Sequence, residues 1–344
     1  MKTCSRTIVI AAAAAGVVLA CSQTTRAWDE AGHSIVIDAA LARLPDGQPA
    51  VLETEAARAR LRFHASTPDR WRNVRLAPMG HINSPDHYFD VEWLACYGLT
   101  PETLPRYRND FISHIVAFKA AHPDQDCAYE PDSDPQSSRR WPGFGPYRVC
   151  EMYVRLRSSW CTLNTYTKYA HLTAPGELEA CRDDVLRQMG VLSHYVADLA
   201  QPLHTTVHYN GWIGDNPKGY TSDRGIHRLI DATVIAEAAM TAAHLPADVE
   251  LPRIDRERLF EQVVAYVVES HSHVEELYAL EKRQAFLAGG AEHARGCEFV
   301  KRRLARAAAM LAALWESAYR DAGTDTYREE VFQRAAGASG SSQH

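Results

Sequence analysis

The chain has 344 residues, 46% of them apolar and 23% charged, and a net charge of −6 with histidine neutral. That composition excludes a disordered chain and is long enough to bury a large core. The acidic balance argues against a basic surface that grips duplex nucleic acid by phosphate neutralisation alone.

Residues 1–27 read as an export leader. Lys2 and Arg6 make a basic start, and Ile8 to Ala20 is an apolar run too short to span a bilayer. Thr25-Arg26-Ala27 puts small residues at the two positions a signal peptidase inspects. Cleavage after Ala27 frees Trp28 as the new N-terminus. Lys2, Arg6 and Arg26 leave with the leader, so 34 of the 37 basic residues face 43 acidic ones, a net charge of −9. The expected destination is the periplasm or the medium. A competing lipobox, Val18-Leu19-Ala20-Cys21, predicts a lipoprotein anchored through Cys21.

Beyond the leader, apolar residues recur at helical spacing over residues 33–44, 178–199, 226–245, 256–287 and 292–322, where helix-forming alanine, leucine, arginine and glutamate are frequent. Strand-like alternation is scarce. The expected fold class is all-α, one multi-helix domain over residues 28–334. Residues 127–146, with Pro131, Pro135, Pro142 and Pro146, read as a surface loop, residues 218–225 as a second, and residues 335–344 as a disordered tail. Six cysteines follow the leader: Cys96, Cys127, Cys150, Cys161, Cys181 and Cys297. An even number in an exported chain predicts disulfides, with the pairing open. No CxxC pair is present, so a cysteine zinc site is not expected.

The chemistry concentrates in S-H-Y-V-A-D-L-A-Q-P-L-H, residues 193–204. His194 and Asp198 stand four apart and share a helix face. Pro202 cannot continue a regular helix, so the chain bends and carries His204 back toward that face. His227 and Asp231 repeat the four-residue spacing. Asp69, His87, His33 and Trp28 lie upstream, and a freed Trp28 amine would form a five-membered chelate with its own carbonyl. Imidazole and carboxylate are ordinary zinc ligands. One His-xxx-Asp pair by itself is more often a surface hydrogen bond; the whole set in fixed order behind a leader that ends at tryptophan is what points to metal. His81, His171, His208, His271 and His273 have no comparable partner and read as ordinary histidines.

On W-D-E-A-G-H, P-D-R-W-R, H-Y-F-D, H-Y-V-A-D-L-A-Q-P-L-H and H-R-L-I-D, spread over residues 28–231, the chain resembles the superfamily of bacterial zinc-dependent phospholipase C and the fungal and plant single-strand-type nucleases. The resemblance implies three zinc ions. Asp69, His87, His194 and Asp198 would hold the first, and His204, His227 and Asp231 the second. The Trp28 amine and carbonyl, His33 and the other oxygen of Asp198 would hold the third. Asp90 would orient the attacking water or act as its base, and Arg72 would hold a phosphate oxygen. The activity implied is phosphodiester hydrolysis by a hydroxide held between zincs.

The Trp28-to-His33 and His204-to-His227 gaps, Asp231 and Arg72 lean toward the nuclease branch, with single-stranded nucleic acid or nucleotides as substrate. The alternative is a phospholipase C acting on phospholipid head groups; a non-catalytic zinc-binding protein ranks last. The span from His87 to His194 is longer than in the fungal nucleases, which predicts an insertion over about residues 97–165. Tyr88, Tyr209, Trp212 and Tyr220 are the candidates for stacking on a base. A monomer with no obligate protein partner is expected.

Overall fold

A computed structural model describes residues 28–45, 49–74, 76–125 and 137–340. The leader, the Cys21 lipobox, Cys127 with Pro131 and Pro135, and residues 341–344 lie outside the described residues. Within them every regular element is helical, and no strand is present. The order begins with α1 (Glu30–Leu41), α2 (Glu55–Ala65), α3 (Thr67–Asn73), α4 (Ala77–Asn83) and the single turn α5 (Trp93–Cys96). It continues with α6 (Arg108–Ala121), α7 (Gly145–Lys168), α8 (Glu177–Ala200), α9 (Ile226–Arg228) and α10 (Val234–Glu237). It ends with α11 (Leu259–His271), α12 (Val274–Lys282), α13 (His293–Arg320) and α14 (Thr326–Gly340).

Local chemistry sets several of these boundaries. Asp29 caps α1, its Oδ1 accepting from the Ala31 and Gly32 N–H groups at 3.1 Å. Thr54 caps α2 through the Ala57 N–H. Helix α8 stops where Pro202 forces Gln201 into an extended conformation, and the chain then tightens into a 3₁₀ turn, Pro202–His204.

Helix α8 is the axis of the fold. Every residue from Met189 to Ala200 is buried, so this half of the helix is enclosed on all sides. Helices α7, α2, α13, α1 and α11 pack around it. Its C-terminal end is closed by Arg303 of α13, which is itself buried. The Arg303 Nε–H donates to the Ala200 carbonyl at 3.1 Å, while both terminal nitrogens meet Glu269 of α11 at 2.8 and 2.9 Å.

Four expectations change against this structure. The periodic stretch 226–245 is not one helix; it is α9, a π turn (Leu229–Thr233), α10 and a 3₁₀ turn (Ala242–His244). The stretch 256–287 divides at Ser272 and His273 into α11 and α12. The span 97–165 holds α6 and most of α7, and α7 packs on α8 in the core, with Met152, Tyr153, Leu156 and Trp160 buried. The C-terminal helix runs to Gly340, past the point where residues 335–344 read as disordered.

The cysteines divide. Cys96 is disulfide-bonded, whereas Cys150, Cys161, Cys181 and Cys297 carry free thiols. Burial pushes the Cys150 thiol up to about 12, so it packs as a small apolar group. An even count says nothing about whether two Cβ atoms can meet, and that decides pairing.

Candidate metal centre

Three groups of histidine and carboxylate converge: His33 with His194 and Asp198; Asp69 with His87 and His194; and His204 with His227 and Asp231. Within each group the ligand atoms lie within 4.8 Å of one another. His33 comes from α1, Asp69 from α3, His87 from the 3₁₀ turn Ser84–His87, and His194 with Asp198 from the enclosed half of α8. His204 lies in the turn after Pro202, His227 in α9 and Asp231 in the π turn. The resemblance gave the His33 ion only Asp198 from α8; here His194 stands beside it, its ring stacked on that of His33 at 4.2 Å between centroids.

Asp198 divides its oxygens between two groups. Its Oδ2 lies 2.9 Å from His87 Nδ1 and 3.3 Å from His194 Nε2, and its Oδ1 lies 3.6 Å from His33 Nε2. The side chain is fully buried, and Oδ1 has no hydrogen-bond donor. Both ring nitrogens of His33, Nε2 of His87 and Oδ2 of Asp231 are likewise buried and have no hydrogen-bond partner. Buried polar atoms without a partner are expensive, and each of these belongs to one of the three ligand groups.

Backbone carbonyls set the tautomers. His194 Nδ1–H donates to the Ala65 carbonyl at 2.6 Å, His204 Nδ1–H to that of His87 at 2.7 Å, and His227 Nδ1–H to that of Tyr209 at 2.9 Å. When these rings are neutral, each Nε2 therefore carries a lone pair. The Nε2 atoms of His204 and His227 stand 3.0 Å apart, with Asp231 Oδ2 at 2.9 Å from the latter. Three acceptors at these distances repel one another unless a cation lies among them. Carbonyl-oriented imidazoles with carboxylates are the donor set of a zinc site, so the residues fit that ion.

Burial is the largest influence on titration here. It holds the His33, His87 and His204 imidazoles well below their usual range, aided by neighbouring histidines and by the charge of Arg72. It also lowers His194, but Asp198 and Asp69 reverse that, and His194 ends raised. Burial pushes the Asp198 carboxyl up to about 6 against the opposing pull of His194, and raises Asp231 as well. Neutral imidazoles are the form that binds metal.

The other predicted residues surround this cluster. The Trp28 indole N–H donates to the Ala197 carbonyl at 2.8 Å, and the Asp29 N–H donates to the Asp231 carbonyl at 3.2 Å, so the start of the domain is tied to α8 and to the π turn together. Gly32 makes this possible: a Cβ there would stand 2.9 Å from Trp28 Cβ. Arg72 donates to Asp69 Oδ1 at 2.7 Å. Asp90 is buried 3.6 Å from Arg139, and burial pushes its carboxyl up to about 7 although Arg139 opposes the shift.

Two neighbours of the cluster had no assigned role in the sequence. Gln201 donates to Asp231 Oδ1 at 2.6 Å and accepts from the Leu203 N–H, turning the other Asp231 oxygen toward His227. Its only signal was its place in the Q-P-L-H string. Arg139 had none.

No protein-family model and no curated protein matches the chain. Among solved structures, the chain is similar to the alpha toxin from Clostridium absonum, with a TM-score of 0.44 and 11% identity over 87% of this chain and 67% of that one.

Proposed function

We propose that this chain is a zinc-dependent phosphoester hydrolase, built as the resemblance implies, with three zinc ions. One observation carries the proposal: imidazoles with Nδ1 committed to backbone carbonyls turn bare Nε2 atoms and unpaired carboxylate oxygens onto common points. Asp69, His87, His194 and Asp198 would hold one ion, His204, His227 and Asp231 another, and His33 with Asp198 a third. Export and cleavage after Ala27 would add the Trp28 amine and carbonyl to the third. Zinc in such a site acidifies water and neutralises charge on phosphoryl oxygens. The chain's own residues position that chemistry. Arg72, fixed by Asp69, would hold a phosphoryl oxygen, and Asp90, poised near neutrality, would take a proton from the attacking water.

Of the two substrate classes, phospholipid is favoured by the surface of α2 to α4. Phe63, Val74, Leu76 and Ile82 are large, apolar and exposed, on the helices that flank Asp69 and Arg72 of α3 and on the turns between them. Exposed apolar side chains of this kind suit a lipid surface. The rings that would stack on a base are engaged elsewhere: Tyr88 and Tyr220 are buried, Tyr209 carries Arg139, and Trp212 stacks on His208 at 3.8 Å. Single-stranded nucleic acid or nucleotide is the second reading, carried by the Trp28-to-His33 and His204-to-His227 gaps and by Asp231 and Arg72.

The test is a parallel turnover assay on bis(p-nitrophenyl) phosphate, phosphatidylcholine vesicles, single-stranded DNA and RNA, with metal content measured before and after a chelator. Chelator-sensitive hydrolysis with phosphatidylcholine preferred is expected. Preferred cleavage of nucleic acid would replace the lipid reading by the second. Bound zinc without turnover of any of the four would leave a zinc-binding protein and end the enzymatic reading.

A further inference from the structure

A second concave site lies away from the metal centre. Residues of α11, α12 and the first half of α13 line an open groove of about 620 Å³, and Val249 contributes to it from the loop before α11. That volume is within the range of small-molecule sites, roughly 300–1,000 Å³. None of the proposed metal ligands is among the described residues that line it. The spacing on α13 explains its character. Phe299, Arg302, Arg303 and Arg306 recur at intervals of three, four and seven, so one helix face carries a ring and three guanidinium groups.

Five arginines line the groove, Arg283, Arg295, Arg302, Arg303 and Arg306, against three carboxylates, Glu269, Glu276 and Glu298. The local balance is therefore positive on a chain whose net charge is −6. The surplus shows in how carboxylates are shared. Glu269 meets Arg303, Arg306 and His273 at 2.8, 3.5 and 3.3 Å, and Glu292 meets both Arg295 at 3.0 Å and Arg283 at 3.8 Å. Burial raises the Glu269 carboxyl, but His273, Arg303 and Arg306 hold it down at about 2.

The side chains also differ in depth. Leu280 and Phe299 are buried, so the inner wall is apolar, and Arg303 is fixed there by its two bonds to Glu269. Arg283, Arg295 and Arg302 are exposed. Exposed ion pairs contribute little, so their partners give way readily to the oxygens of a ligand. A helix face that carried only solvated ion pairs would balance its charges one for one and would gain nothing from a concave apolar wall. A polyanion fits poorly, because Glu276 and Glu298 share the surface. A ligand with one charged head and an apolar body meets both features.

We infer that this groove binds a single-chain anionic amphiphile, with its carboxylate or phosphate head at Arg302 and Arg306 and its alkyl or acyl chain along Leu280 and Phe299. The inference does not rest on the hydrolase reading, whose residues lie elsewhere.

The experiment titrates the zinc-loaded, full-length protein by calorimetry with octyl phosphate and octanoate, and with inorganic phosphate and octanol as the head and the chain alone. Octyl phosphate or octanoate should bind at least about 10-fold more tightly than either half, since charge pairing and apolar burial act together. A preference between the two names the head group. Arg302→Gln and Arg306→Gln should each weaken the amphiphile by about 5- to 10-fold and leave octanol unmoved. Inorganic phosphate binding as tightly as octyl phosphate would reduce the groove to a plain anion site and overturn the inference. So would octanol binding as tightly as the amphiphiles, or no binding of any probe. Octyl phosphate binding that a chelator abolishes and neither variant changes would place the ligand on the metals and overturn it as well.

Discussion

Helix α8 and the stretch from Gln201 to Thr233 each carry a His-xxx-Asp pair, and they position it by different means. In α8 the pair rides on a regular, enclosed helix. The four-residue period puts His194 and Asp198 on one face, and packing on all sides fixes where that face points. In the second region regularity is abandoned. His204 sits in a 3₁₀ turn, and His227 reaches Asp231 across a π turn. What holds that region is polar: Gln201 on Asp231, and the carbonyls of His87 and Tyr209 on the imidazoles. A wide turn inside a helix is a frequent device at functional sites, because it shifts one side chain without moving the whole element. The comparison teaches that a buried helix brings its ligands to one face by period, with one carbonyl turning His194, whereas irregular backbone needs a hydrogen bond for every ligand it aims.

Asp198→Asn gives the sharpest break. It removes a carboxylate shared by two of the three groups while leaving His204, His227 and Asp231 intact. Turnover should fall by about 10³-fold or more, since metal charge stabilisation is worth several kcal/mol. Elemental analysis should show the loss of the metals on the α8 side and retention of the other. Full zinc content with undiminished activity would defeat the assignment.

Arg303→Met tests the packing that α8 depends on. It removes the closure of the Ala200 carbonyl and leaves Glu269 without two of its bonds. Because Glu269 is 37% exposed, solvent recovers part of the loss, and about 2 kcal/mol of stability should disappear. A denaturant titration measures it; the ligands of the second region should be unaffected at temperatures where the protein is folded.

Gln201→Leu tests the opposite dependence. Asp231 loses the donor that aims it, so metal affinity at His204, His227 and Asp231 should drop by about 10- to 100-fold, with the α8 side unchanged. Equal loss from both sides in a competition with a chelator would show that the regions are not independent.

The smallest effect is in protons. Asp198 sits at about 6, so the metal-free protein holds a proton there below that pH, and a cation must displace it. Zinc affinity on the α8 side should therefore fall as pH drops through about 6, by more than about tenfold per pH unit where the raised His194 is protonated as well. His204 is already neutral across that range and should release no proton. Calorimetry in two buffers of different ionisation heat counts the protons; equal release at about pH 5.5 and about pH 8 would contradict this account.

Much of this was legible before any coordinates. The helical fold class follows from apolar spacing, and His194 with Asp198 follows from the helix period, because both are local rules. His227 and Asp231 were legible as a pair, though their π turn was not, since it reflects which carbonyls and side chains claim the backbone. The start of α7 reads as loop in the sequence because its N-terminal end, Gly145-Pro146, closes a proline-rich run. That Cys150, Cys161, Cys181 and Cys297 carry free thiols is not legible in the sequence, because pairing depends on distance in space.

The sequence by itself determined that this is a helical chain with histidine and aspartate at ligand spacing, because those properties depend on periods of a few residues. Only the tertiary structure decided that His33, Asp69 and His87 meet the α8 pair, that Gln201 aims Asp231, and that Arg139 lies over Tyr88 and Tyr209 beside Asp90. Those are contacts between residues tens to more than a hundred positions apart, and they exist only once burial around α8 has folded distant segments against one another.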